Sequence, residues 1–304
     1  MPQTLRNSSG ILAIFFLTLG LAMPDAASAE ELIQPRVSPR AEVHQRIGIT
    51  DVTLTYHRPA VRERAVWGEL VPYDEVWRLG ANNATTLEVS TDVTVAGKAL
   101  PAGRYALFAI PNADRWTFVV NGQADQWGSY GHQDGADALR FDLPVEKGSF
   151  HEWMTFRFEP TVAEAGAVPS AAMLHFHWAE AHVAFPIAVD VETTMWTQLD
   201  GALDKLGDQA DQASARVYLM AANYALDTDK RLDDAMTWTE RALDAAEGFW
   251  THEARAKVLH RHGKKDKALA HLTKAMEMAE GKTPAGYMNR LRALQAEWTG
   301  GDAR

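Results

Sequence analysis

Between Val43 and Val189 apolar and polar residues alternate in short runs. Val52, Leu54 and Tyr56 alternate with Thr53, Thr55 and His57, which predicts a half-buried strand. Val43 and Ile47 frame a strand before it, with Gly48 as the turn, and Pro59, which cannot donate to a ladder, ends the second strand. Leu87 with Val89, Val93 with Val95, and Trp116 to Val120 predict three more strands. Met154, Phe156 and Phe158 alternate, as do Leu174, Phe176 and Trp178, then Val183, Phe185, Ile187 and Val189. Ala179-Glu180-Ala181 reads as a tight connection between the last two runs. Tyr105 to Ile110 is apolar on both faces, which suits a central strand covered on both sides. Ala96-Gly97-Lys98 and Pro101-Ala102-Gly103 are turn chemistry, and Gly122 to Ala136 is a long irregular connection. Many short strands with frequent turns predict an antiparallel β-sandwich, jelly-roll-like in its two layers.

Near Val191 the period changes from two to that of a helix. Leu199, Leu203 and Leu206 recur at helical spacing, as do Leu272, Ala275 and Met276, then Tyr287, Leu291, Leu294 and Trp298. Arg231–Glu247 matches Lys264–Glu280 at an offset of thirty-three residues, with Ala235 aligned to Ala268 and Ala242 to Ala275. Small residues at helix contacts in such a repeat resemble tetratricopeptide-type helical hairpins. About six helices fill this part. The fold class expected is therefore α+β in two parts, a sandwich at 41–191 and an all-α helical-hairpin domain at 192–300.

Residues 1–29 read as a signal peptide. Arg6 supplies a positive n-region, Ile11 to Met23 an apolar run short for a membrane span, and Ala27-Ser28-Ala29 a small-residue cleavage site. Residues 30–40, with Pro35 and Pro39, then form an arm. The expectation is a periplasmic or secreted protein with no membrane span in the mature chain. Removing residues 1–29 removes one positive and one negative charge, so the net charge stays at −10 and argues against phosphate-backbone binding to nucleic acid. There are no cysteines, which excludes disulfides, thiolate chemistry and an N-terminal lipid on cysteine.

One stretch is neither ordinary core nor ordinary loop: VPYDEVWRLGANNATT, Val71 to Thr86. It joins TYHRP (Thr55–Pro59), ERAVWG (Glu63–Gly68), LPAGRYALFAIP (Leu100–Pro111), WTFVVN (Trp116–Asn121) and DALR (Asp137–Arg140). In this order the motifs resemble the bacterial secreted family known as domain of unknown function 2911, over roughly Ser38 to Val191. The resemblance implies a fold and an export route and no activity. The family pattern usually has glycine where this chain has Glu63.

Two constellations carry candidate chemistry. The first is Tyr73, Trp77, Arg78, Asn82 and Thr85, with Arg64, Asn121 and Arg140. An arginine fork suits carboxylates and phosphates, asparagine fixes a hydroxyl or amide, and tryptophan stacks on a sugar. The same residues also suit a buried structural network, with Arg78 paired to Asp137 or Asp74 and Asn82 to loop backbone. The second is His175, His177 and His182 with Glu180, acceptable zinc or copper ligands. The plain expectation there is a solvated face and no metal or other cofactor. Glu63, Asp74 and Glu75 are the carboxylates available for glycoside chemistry, and nucleophile and phosphate-loop motifs are absent from the sequence. The function expected is a non-catalytic binding or scaffold module for a small polar ligand or a protein partner. The alternative is a hydrolase acting on an envelope polysaccharide or other polar substrate.

Overall fold

The computed structural model describes residues 34–207 and 209–300. The signal-peptide reading of 1–29 and the first residues of the arm lie outside them. Residues 34–39 form no regular element.

Ten strands follow: β1 (Arg40–Ile47), β2 (Thr50–His57), β3 (Thr85–Val89), β4 (Val93–Val95), β5 (Lys98–Leu100), β6 (Gly103–Ile110), β7 (Arg115–Asn121), β8 (Asp137–Pro144), β9 (Glu146–Pro160) and β10 (Ala171–Ala188). They make a six-stranded sheet, β1-β2-β3-β6-β7-β8, and a four-stranded sheet, β5-β4-β10-β9. Every ladder is antiparallel. The jelly-roll likeness lies in the two layers; the larger sheet is two meanders, β1-β2-β3 and β6-β7-β8, joined edge to edge.

Alternation explains the layers. Val52, Leu54 and Tyr56 of β2 are buried while Thr53, Thr55 and His57 are half-buried. Their core-facing side chains meet those of the smaller sheet in one cluster. Tyr56 packs edge-on against Phe156 at 4.9 Å, Trp116 meets Phe176 at 5.1 Å, and Phe118 meets Phe185 at 5.3 Å. The Phe156 backbone N–H also donates to the Tyr56 hydroxyl at 3.1 Å, tying one layer to the other. β6 is covered on both sides. Leu107 and Ala109 join the sandwich core, while Ala106 and Phe108 form a second small cluster with Ala84 and Val119 on the sheet's outer face. Val76 and Ala84 of the polar stretch and His132 of the long connection pack on that outer face, whereas Val71, Trp77 and Leu79 reach into the sandwich core.

One expectation is corrected. Ala179-Glu180-Ala181 is not a turn between two strands; β10 runs unbroken through it. The register against β9 shifts on either side of Ala179, whose φ is +49°. This is a bulged irregularity in which two residues of β10 oppose four of β9 at each shift, and across it the two faces of β10 exchange parity. Before it Leu174, Phe176 and Trp178 face the core; after it Ala181, Val183, Phe185 and Ile187 do.

Six helices complete the described chain: α1 (Val191–Leu206), α2 (Gln212–Thr228), α3 (Leu232–Ala245), α4 (Phe249–Arg261), α5 (Lys265–Ala279) and α6 (Ala285–Thr299). Asp190 caps α1 by accepting from the Thr193 N–H at 3.0 Å, and Asp211 with Ser214 forms a capping box on α2. The thirty-three-residue repeat falls on α3 and α5. Ala235, Ala242, Ala268 and Ala275 are all fully buried, so the small residues sit where helices approach closely. No described helix is long and apolar enough to cross a membrane.

Candidate functional site

The stretch from Val71 to Thr86 is irregular, bridges to β6 at Trp77 and ends in β3. Trp77 anchors it. Its ring is buried, stacked on Trp178 at 5.8 Å and 17°, within an aromatic group that includes Trp67 and Trp116. Its indole N–H donates to the Gly80 carbonyl at 3.2 Å. Trp77 also exchanges backbone hydrogen bonds with Ala109 of β6, one in each direction. At Gly80 φ is +158°, and a Cβ there would stand 2.9 Å from the His57 carbonyl oxygen. Glycine is therefore required by close backbone approach. The buried Thr85 hydroxyl closes the turn by donating to the Leu79 carbonyl at 2.6 Å.

The long connection after β7 is pinned from below by Asn121, which is fully buried. Its amide donates to the Gln133 carbonyl at 3.1 Å and to Asp137 at 2.8 Å. Its oxygen accepts from the Gln123 N–H at 3.0 Å and the Gln126 amide at 3.2 Å. Asp137 also binds His132 at 3.1 Å and the Arg140 Nε at 2.7 Å. Burial pushes the Asp137 carboxyl up, but the bonds from Asn121, Arg140 and His132 outweigh it and hold the group below its ordinary value. The connection then lies along the polar stretch: Ala84 N–H donates to Gln126 O, and Gly128 N–H to Asn82 O.

These placements divide the sequence candidates. Trp77, Thr85, Asn121 and Arg140 are engaged inside the protein. So is Arg64, whose guanidinium donates to the Val61 and Ala60 carbonyls at 2.9 and 2.7 Å. Asn82, with φ +57°, donates to the Ser38 carbonyl at 3.2 Å. Tyr73 is exposed. Arg78 stands apart. Neither Asp137 nor Asp74 pairs with it: Asp137 is taken as described, and Asp74 accepts from Asn112 at 2.7 Å. The Arg78 Nε is buried with no hydrogen-bond partner among the described residues. Burial lowers its ordinary pKa, with Tyr130 close enough to pull it back up. Trp127 and Tyr130 on the adjoining connection are both exposed. Sequence reasoning marked that connection as irregular but did not single out its aromatics. Their signal was present, in two large rings within a Gly-, Asp- and Gln-rich loop.

The bulge in β10 brings the three histidines to one side. His175 and His177 precede it on odd positions and His182 follows it on an even one, so all three share the outer face of the smaller sheet. Their rings are nearly parallel, with centroids 4.5 Å apart for His177 and His182, 5.4 Å for His175 and His182, and 6.2 Å for His175 and His177. One nitrogen from each lies within 4.8 Å of the others. His175 Nδ1 and His182 Nε2 are 3.1 Å apart. His151 of β9 stacks on His177 at 4.6 Å, and sequence alternation did not bring it forward. Burial, then the neighbouring imidazoles His182 and His151, lower the His177 pKa to about 4. Glu180 is drawn away to Lys147 at 3.0 Å. A second group, His132 with Asp134 and Asp137, is already occupied by the Arg140 guanidinium.

Glu63 and Glu75 are exposed loop carboxylates, and among the described residues the helical part carries open grooves. One of them, about 450 Å³, lies between α1 and α2 beside Met195, Leu219, Met220 and Tyr224.

The class these features define is a two-layer antiparallel β protein, covered at one side by polar loops and continued by six helices. Residues 38–187, the β part of the chain, match the family described as "Protein of unknown function (DUF2911)". No curated protein and no solved structure matches the chain. Glu63, where the family pattern usually has glycine, has φ +57° beside Arg62 at +50°. That is the left-handed region glycine favours, and Arg64 closes the same turn through its bonds to residues 60 and 61.

Proposed function

We propose that the chain is an exported, non-catalytic binding module of the bacterial envelope, whose β part holds a small polar ligand by an acidic group at Arg78. The observation that carries this reading is the buried Arg78 Nε without a partner. A cation taken partly out of water with nothing to pair it is unfavourable, and an anion supplied from outside would relieve that cost. Arginine's planar fork suits a carboxylate or phosphate, and the exposed Tyr130 offers flat apolar surface for the rest of the ligand. The helices, read as tetratricopeptide-like hairpins, would brace the sandwich or add a partner surface; the equivalent burial of Ala235 and Ala268 supports that reading.

The test is calorimetry of the full chain with glucuronate, inorganic phosphate and short peptides bearing a free C-terminal carboxylate. At least one class should bind, and Arg78→Ala should abolish it. The unfolding midpoint of Arg78→Ala should stay at or slightly above the parent's, because the substitution removes an unpaired buried donor. Absence of binding by all three classes, or binding indifferent to Arg78, rejects the site. A clear fall in the Arg78→Ala midpoint would mark the residue as structural.

A further inference from the structure

The outer face of the smaller sheet holds a group of side chains that the Arg78 reading does not use. His182 Nδ1 lies 3.2 Å from a Glu146 oxygen, and its Nε2 faces His175 Nδ1 at 3.1 Å. On the far side of His175, Nε2 lies 3.5 Å from a Glu159 oxygen. The two imidazoles thus turn their inner nitrogens toward each other and their outer nitrogens toward carboxylates. That is the arrangement carboxylates impose on metal-binding histidines: the outer N–H is held and the inner lone pair is directed inward. His177 stacks beside His182 and brings a third nitrogen within 4.8 Å. Gly148 on β9 leaves room behind the group, since a Cβ there would come within 3.2 Å of the His182 Cβ. Arg157 is the nearby cation, and it is drawn to Glu159 at 3.2 Å.

We propose that His175, His177 and His182 bind one divalent transition-metal ion, zinc or copper(II), with Glu146 and Glu159 holding the outer nitrogens of His182 and His175. The donor set decides the class of ion: three neutral imidazoles suit zinc and copper and suit calcium or magnesium poorly. Binding needs no net loss of protons. The proton shared between His175 and His182 moves through solvent to His175 Nε2, where it stays on the ring and faces Glu159, and the ion takes the inner lone pairs. The side chains of His175 and His182 are 14% and 20% exposed, which leaves a path for the ion from solvent. A fourth coordination position remains for water.

The experiment uses the full chain without a histidine tag, stripped with chelator and titrated with zinc chloride or copper(II) sulfate in a calorimeter. One ion per chain is expected, with a raised thermal midpoint in its presence. His177→Asn and His182→Asn should each weaken binding at least about 100-fold, and Glu146→Gln by about tenfold, the range found when an outer partner of a ligating histidine is lost. His271→Asn should change nothing, which separates this face from the His252–His271 pair in the helices, whose Nδ1 atoms are 2.8 Å apart. Circular dichroism reports whether each variant folds; if His182→Asn does not, His175→Asn carries the same expectation. No stoichiometric zinc or copper on the parent, or undiminished binding in the folded variants, overturns the proposal.

Discussion

Asn121 shows what a single polar residue does in this fold. An asparagine side chain has two N–H donors and an oxygen with two lone pairs, and here all four are used. In the sequence it stands among the candidate ligand contacts, because an asparagine at the end of an apolar strand is compatible with either role. Its partners Gln123, Gln126 and Gln133 lie in an irregular segment with no periodicity, and Asp137 opens the strand after it, so no pattern could pair them in advance. Arg78 is the complementary case. The expectation of an internal carboxylate partner fails because Asn112, Asn121, His132 and Arg140 already engage the two carboxylates considered. Asn121→Ala should therefore cost about 1–3 kcal/mol, measured by urea unfolding, since the groups it leaves behind are at most partly rescued by water. On acidification the same variant should lose less stability than the parent does. The Asp137 carboxyl is held below its unfolded value near 3.9, so its contribution is present above that pH and is lost as pH falls through the folded value. Losing the Asn121 bond narrows that gap. An Asn121→Ala midpoint equal to the parent's at neutral pH would contradict this account.

At the scale of the element, strands were legible wherever the period of two was unbroken. β2, β4 and the last part of β9 follow the alternation residue by residue, and β6 is apolar on both faces because loops cover its second face. β10 was read as two strands because a change of parity looks the same in sequence whether a turn or a bulge causes it. Only the continuing ladder with β9 decides for the bulge. Ala179 occupies its left-handed position at φ +49°, where an L-residue with a Cβ is strained by about 1–2 kcal/mol. Glycine removes that strain but costs about 0.5–1 kcal/mol in chain entropy. Ala179→Gly should then stabilise the protein by roughly 0.5 kcal/mol or slightly more, the difference of these terms, with an unchanged urea m-value. A loss of stability would mean that the Ala179 methyl packs better than the strain costs. The bulge also explains why the histidine face was only half visible in sequence. His175 and His177 share a face by simple alternation, whereas His182 joins them only through the change of parity at Ala179, and His151 and Glu146 arrive from the neighbouring strand.

At the scale of the molecule, the change of period near Val191 separates two sets of cores. The sandwich cluster draws all its fully buried members from residues 47–189, and the helical clusters draw theirs from 199–298. The extensive packing between elements is strand with strand or helix with helix. The junction is one residue wide. Val191 opens α1, yet it packs on the sandwich cluster, and a Cβ at Gly48 would come within 2.7 Å of its Cγ2. Asp190 meanwhile caps the helix. A β fragment must therefore keep Val191, and a helical fragment must keep Asp190. A fragment spanning residues 38–191 has about 150 residues, a size at which a single core suffices for independent folding. It should be soluble, give a β-type circular dichroism spectrum and unfold cooperatively in urea. Its midpoint should lie close to that of the β transition in the full chain, because little apolar surface is newly exposed by the cut. A fragment spanning 190–300 should be helical by the same measurement. Aggregation of the β fragment under conditions where the full chain is soluble would show that the helices cover apolar surface the sandwich needs, and the division at Val191 would then separate two halves of one cooperative unit.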